Sequence, residues 1–189
     1  MGHTGGTMTR WDDHLAALLE ERYPALVSYA RMLTQGDLAA AEDLVHDALI
    51  KVFVRTSRFA SPGHAEGYVR RAIVSVFIDG TRSSTRRRRA YARSVTPLST
   101  PGPETSVGLA TDVEKALAEL PPRERACVVL RYFDDLTVPQ VARHLGIADG
   151  TAKRYLSDAS ARLAVMLGTD MPDIDAPPAV RVEAPRRSK

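Results

Sequence analysis

The sequence predicts an all-α protein made of two small helical domains joined by a flexible linker, the second containing a helix-turn-helix. Three observations carry this. Apolar residues recur at three- and four-residue spacing, alternating runs are absent and aromatics make up only 6% of the chain, so strand signals are scarce. The 12 prolines and 12 glycines of the 189 residues are unevenly placed, which favours two units over one. Finally, the segment from Leu120 to Leu163 places two apolar-faced helical stretches on either side of the short turn Gly146-Ile147-Ala148-Asp149.

In chain order, residues 1–10 read as a disordered N-terminus, and the start MGHTGGTMTRW lacks the charged and apolar halves of a secretory signal. The first domain is expected at 11–93. Its helical block runs from about Trp11 to Thr81, broken near Gly36 and again between Ser57 and Gly67. There TSRFASPGHAEG holds Pro62 and Gly63 and is expected to be an exposed loop. Within the block, the helix from about Ala39 to Phe53 turns Ala41, Leu44, Val45, Ala48, Leu49 and Val52 toward a core. Residues 94–110 combine proline with Ser and Thr and offer little to bury, so they are expected to tether the domains rather than fuse them.

The second domain is expected at 111–167. Cys127 sits among Val128, Val129 and Leu130 and reads as a small core hydrophobe in a reducing compartment, not a nucleophile. A short helix carrying Val138, Val141, Ala142 and Leu145 ends at Gly146. The next opens near Asp149, a candidate N-cap, and turns Ala152, Leu156, Ala159 and Leu163 to the shared seam. Residues 168–189, rich in proline and alanine with a basic end, are expected to be a disordered, solubilising tail.

The formal net charge of +3 hides a local concentration. RSSTRRRRAYAR, from Arg82 to Arg93, holds six arginines and no acid, and Arg70 and Arg71 extend the charge upstream. Such runs are commonly solvated faces, but arginine favours planar, bidentate phosphate contacts, and the run would attract nucleic acid most strongly at low salt. Alone it does not separate DNA from RNA. The sequence has no Gly-rich phosphate loop, no HExxH and no cysteine pair for zinc, and its five histidines are scattered. Asp134 and Asp135 read as acids favoured by the dipole of the helix that follows. No apolar run approaches the length of a membrane span. No cofactor, no enzyme activity and no membrane insertion are therefore expected, and a cytoplasmic location is.

Two helical stripes stand out. Opposite the core face of the helix at 39–53 lie Glu42, Asp43, His46, Asp47 and Lys51, and by angle Ile50 falls in one stripe with His46, Asp43 and Asp47. A lone exposed Ile is usually unremarkable, yet an apolar centre with a polar rim is the pattern of a protein interface. On the second helix of the helix-turn-helix, Thr151, Arg154, Tyr155, Asp158 and Arg162 point away from the seam. Periodicity alone fits an ordinary hairpin with a wet polar stripe equally well. The turn length and the glycine at the helix end favour insertion into a DNA major groove.

An acidic AEDLVHDALIKVF helix, a loop and helix ending in an arginine run, and a linker with LPPRER before a helix-turn-helix stand in one order. Together they resemble a bacterial sigma factor of the extracytoplasmic-function (ECF) group of the sigma-70 family, the minimal form with conserved regions 2 and 4. The likeness spans roughly Trp11 to Leu167. It implies that Asp43, His46, Asp47, Ile50 and Lys51 grip the clamp coiled coil of the largest subunit of core RNA polymerase. It implies that Arg58, Phe59, Tyr68, Arg71, Ser75, Arg82, Arg86 and Arg87 handle the minus-10 element, with an unpaired base held in the loop from Arg55 to Gly67. It further assigns Thr151, Lys153, Arg154, Tyr155, Asp158 and Arg162 to the minus-35 duplex, promoter DNA and core polymerase being partners, and an anti-sigma factor a third. Tyr68 stands where the family often has Trp, and Ser75 where it has Asn. GTAKRYLSDAS replaces the common GTVKSRLSRAR, so the promoter sequence does not transfer. The competing readings are a free-standing helix-turn-helix regulator, which would be expected to dimerise on symmetric half-sites, and a pure adaptor protein, which would leave the arginine run incidental.

Overall fold

The computed structural model describes residues 10–55, 62–92 and 111–176. Among them there is no strand, and the helices are α1 (Arg10–Arg31), α2 (Leu38–Arg55), α3 (Pro62–Ala92), α4 (Asp112–Ala118), α5 (Pro122–Val128), α6 (Val138–Leu145) and α7 (Asp149–Leu167). α1, α2 and α3 pack mutually as a three-helix unit, and α7 is the centre of the second unit, contacted by α4, α5 and α6.

The α1–α2 corner is built from two left-handed residues, Gln35 (φ 61°) and Gly36 (φ 80°), with the Gly36 amide donating to the Arg31 carbonyl at 3.0 Å. Asp37 then caps α2, its Oδ1 accepting from the Ala40 amide at 3.1 Å. All six expected core residues of α2 are buried, each at 9% exposure or less. Each fully buried Val or Leu of this kind stabilises the fold by about 1.5–3 kcal/mol relative to an exposed one.

α3 departs from expectation at both ends. It begins at Pro62, inside the segment expected to be loop, because a proline at the first helical position gives up an N–H that has no intrahelical acceptor anyway. It then continues through the arginine run to Ala92, 31 residues in all, or about 46 Å of helix.

In the second unit, Thr111 and Glu114 form a reciprocal capping box that starts α4. α5 runs into a π-turn over Val129–Phe133, and the continuous stretch from Ala126 to Leu130 is at most 1% exposed. Cys127 is fully buried, and that burial pushes its thiol up to about 12. Gln140 reaches back to accept from the Thr137 amide at 2.8 Å, opening α6, and Gly146 closes it in the left-handed region (φ 62°). The N-cap of α7 is Ala148, not Asp149. Asp149 is the first residue inside the helix, where a carboxylate still favours the positive helix end.

Two expectations about the chain's organisation are corrected. The units are docked: α3 packs against both α5 and α6, and one hydrophobic cluster runs through both. The segment after Gly168, expected to be disordered, lies against the second unit through Ala176, with Met171 and Ile174 packed on the core. Its physical reason is hydrogen bonding from Arg131 and Tyr132, described below.

Candidate nucleic-acid and protein interfaces

On α2, Asp43, His46 and Asp47 are exposed, and Ile50 is 50% exposed although its neighbour Leu49 is 6% exposed. The stripe read from the sequence is therefore real as geometry. Lys51 differs from the other four: it is half-buried and donates to Asp79 of α3 at 3.1 Å.

α3 carries six of the eight residues assigned to the minus-10 element, and the docked second unit covers part of them. Tyr68 is exposed, and so is Arg82, which approaches Asp79 at 3.9 Å. Arg71 and Ser75 are half-buried beneath α6. The His144 Nε2 lies 2.9 Å from the Arg71 carbonyl, which can only accept, so Nε2 carries the proton. Ser75 Oγ donates to the same carbonyl at 3.1 Å and lies 3.2 Å from the imidazole. Arg58 and Phe59 lie outside the described residues, as do the side chains of Arg86 and Arg87.

The docking seam is held by polar groups that long-range folding alone brings together. Arg125, 3% exposed, donates to the Leu33 carbonyl of the first unit at 2.5 Å, and to the Ala118 and Leu120 carbonyls at 2.8 and 3.0 Å. Its guanidinium also lies over the Phe77 ring at 6.0 Å. Burial pulls it down from the ordinary arginine value, opposed by the charge of Glu119. Tyr29 donates to Asp134 Oδ2 at 2.7 Å, and Arg70 stands 3.8 Å from the same carboxylate and 5.2 Å over the Tyr29 ring. Burial first and Asp134 second hold the Tyr29 phenol well above its usual range. Arg31 pairs at 3.2 Å with Glu114, the capping-box acid of α4. Asp134, which closes the π-turn, thus serves the seam rather than the start of the helix that follows, and Arg70 is committed to Glu66 at 2.6 Å as well. Sequence analysis missed Tyr29, Glu114, Arg125 and the role of Asp134. Only Arg125 left a signal: a charge on the same helical face as Val128 and Val129.

On α7, Lys153, Arg154 and Asp158 are exposed, and Thr151 and Tyr155 are half-buried, Tyr155 packing on the core beneath the Arg154 guanidinium at 5.6 Å. Arg162 is exposed as well, but its guanidinium is ion-paired with Glu124 of α5. The outward surface of the helix therefore carries one cation already paired to a carboxylate of a neighbouring helix. Among the described residues no group of three or more His, Cys, Asp or Glu side chains is placed to hold a metal, and no helix is long and apolar enough to cross a membrane.

Residues 18–88 match the family Sigma-70 region 2, and residues 110–163 match Sigma-70, region 4. The chain is 31% identical over 140 residues to the ECF RNA polymerase sigma factor SigM of Mycobacterium tuberculosis, covering 72% of this chain and 68% of the relative. It is 31% identical over 175 residues to the RNA polymerase sigma-E factor of Streptomyces avermitilis, covering 87% and 90%. It belongs to the ECF group of the sigma-70 family. Among solved structures, the sigma factor RpoE of Bartonella quintana, crystallised with the anti-sigma factor NepR, matches with a TM-score of 0.58 at 25% identity, covering 84% of this chain and 99% of that one.

In this sigma factor, the seam between regions 2 and 4 carries a titratable group. Burial is the largest influence on His144 and lowers its pKa, its bond to the Arg71 carbonyl opposes this, and the nearby Arg71 and Lys51 charges lower it further. A depressed imidazole favours the docked form at pH above its ordinary value near 6.5, and that contribution fades as pH falls below it. Small-angle scattering is expected to show the docked fraction falling as pH drops below about 6.5. His144→Gln, which keeps a donor without the titration, is expected to flatten that dependence.

Proposed function

We propose that this sigma factor recruits core RNA polymerase through the outer stripe of α2, holds the opened minus-10 strand along α3 and reads the minus-35 duplex with α7. In this reading the sigma-2 unit spans 11–93, the linker 94–110 and the sigma-4 unit 111–167. The chain directs promoter-specific initiation as other members of its family do, and acts without catalysing a reaction itself. The observation that carries the reading is Ile50: half exposed, framed by Asp43 and Asp47, on a helix whose opposite face is entirely buried. Core polymerase and promoter DNA are its partners, the cytoplasm its place of work, and an anti-sigma factor a further partner, as the Bartonella relative has one.

The docked form is not the DNA-reading form. Promoter elements about 25 base pairs apart lie on the order of 85 Å from each other along B-DNA, whereas here α3 and α6 touch. The sigma-4 unit must leave α3, uncovering Arg71 and Ser75, and a linker of this length reaches roughly 55 Å when extended.

Promoter-variant transcription tests the assignment. Arg154→Ala is expected to change which minus-35 bases are preferred, by roughly 1–3 kcal/mol at the position it reads. Arg87→Ala is expected to weaken every promoter alike and to lower the salt dependence by about one unit of slope. The reverse pattern would overturn this division of roles.

A further inference from the structure

The segment beyond α7 is held by the second unit at several points. Gly168, left-handed at φ 63°, turns the chain back on itself. Tyr132 donates to the Pro172 carbonyl at 3.0 Å and lies 3.3 Å from Ser160 of α7. Arg131, 4% exposed, spends its guanidinium on two carbonyls of this segment, Ile174 at 3.2 Å and Ala176 at 2.5 Å. Asp173 folds the end tightly, its carboxylate accepting from the Asp175 amide at 3.0 Å and its carbonyl from the Ala176 amide at 3.2 Å.

These contacts set a direction. Ser160 and Lys153 are two helical turns apart on one face of α7, about 10 Å. The Tyr132 hydroxyl bridges Pro172 to the level of Ser160, and Asp175 reaches Lys153, so the segment runs antiparallel to α7, back toward the end that carries the minus-35 residues. There the Asp175 Oδ2 receives the Lys153 ammonium at 2.6 Å. The bond to Asp175 first, and its charge second, hold the Lys153 amine above its ordinary value.

We propose that residues 169–176 are an acidic strap that occupies Lys153 in place of a minus-35 phosphate, so that region 4 carries its own competitor for DNA. The inference rests on the reading of α7 as the minus-35 helix. Arg131 and Tyr132 anchor the strap from the body of the unit, which leaves Asp175 free to exchange without unfolding anything. An exposed carboxylate tethered beside an exposed ammonium is at high local concentration, yet it is displaced easily by a polyanion that offers several phosphates at once.

The test uses full-length protein bound to core polymerase, with a promoter duplex that this holoenzyme selects from a random library. Asp175→Asn is expected to tighten duplex binding roughly three- to fivefold at low salt, with the gain shrinking as salt rises. Asp170→Asn removes the same charge from an exposed position on the same segment and is expected to change little. Lys153→Ala is expected to weaken binding, and Asp175→Asn is expected to add nothing in its presence. Equal gains from Asp170→Asn and Asp175→Asn would reduce the effect to bulk charge and overturn the strap. So would a silent Asp175→Asn, or a gain that survives Lys153→Ala, with the minus-35 reading left standing. A holoenzyme that selects no promoter would instead bring down the functional reading itself, and the strap with it.

Discussion

Ile50→Asp is expected to abolish the complex with core RNA polymerase while leaving the fold intact. Half of the Ile50 side chain already faces water, so a carboxylate there meets no packed neighbour, and the cost to stability is expected to be within about 0.5–1 kcal/mol. At an interface the same change would place a charge in the apolar centre of an acidic frame, where losing a central anchor typically costs 2 kcal/mol or more, at least about 30-fold in affinity. Asp47→Lys is expected to act in the same direction by reversing one rim charge. Gel filtration with core enzyme measures the complex, and circular dichroism the fold. Leu49→Asp supplies the contrast: at 6% exposure it is expected to unfold the first unit instead. Normal co-elution of folded Ile50→Asp with core enzyme would remove α2 from the polymerase interface.

Arg125→Met is expected to have the largest effect on stability of any single change at the seam. Methionine keeps the apolar stem but removes the donors to the carbonyls of Leu33, Ala118 and Leu120, leaving buried acceptors without these partners. The expected loss is about 3 kcal/mol, with a thermal midpoint lowered by on the order of 10 °C. Because the Leu33 carbonyl belongs to the first unit, the substitution is also expected to free region 4, seen as a larger radius of gyration in solution. An unchanged radius would show that the docking does not depend on this guanidinium.

The two changes differ in how legible their sites are. Ile50 could be found from periodicity because α2 is a single amphipathic helix, and three-dimensional structure adds only the degree of exposure. The register of α6 and α7, the glycine between them and the buried face of α2 follow from the same local rule. What escaped that rule was set by distance. Asp134 looks like a helix-start acid until Tyr29, 105 residues away, is seen donating to it. Pro62 looks like a breaker until its position as the first residue of α3 makes its missing N–H irrelevant. The segment 169–176 has the composition of a loose tail, and only the carbonyl-seeking Arg131, over forty residues earlier, gives it a fixed path. Lys51 and Arg162 occupy their expected faces, but each is drawn sideways to a carboxylate on a neighbouring helix, a pairing no single-helix projection contains.

Cys127 has a consequence for signalling. It is the chain's one sulfhydryl, fully enclosed and with its proton held firmly, so peroxide or disulfide reagents meet neither an accessible sulfur nor a thiolate in the folded state. An oxidative cue that works through thiol chemistry would therefore have to be sensed by some other molecule and relayed to this one by release or capture.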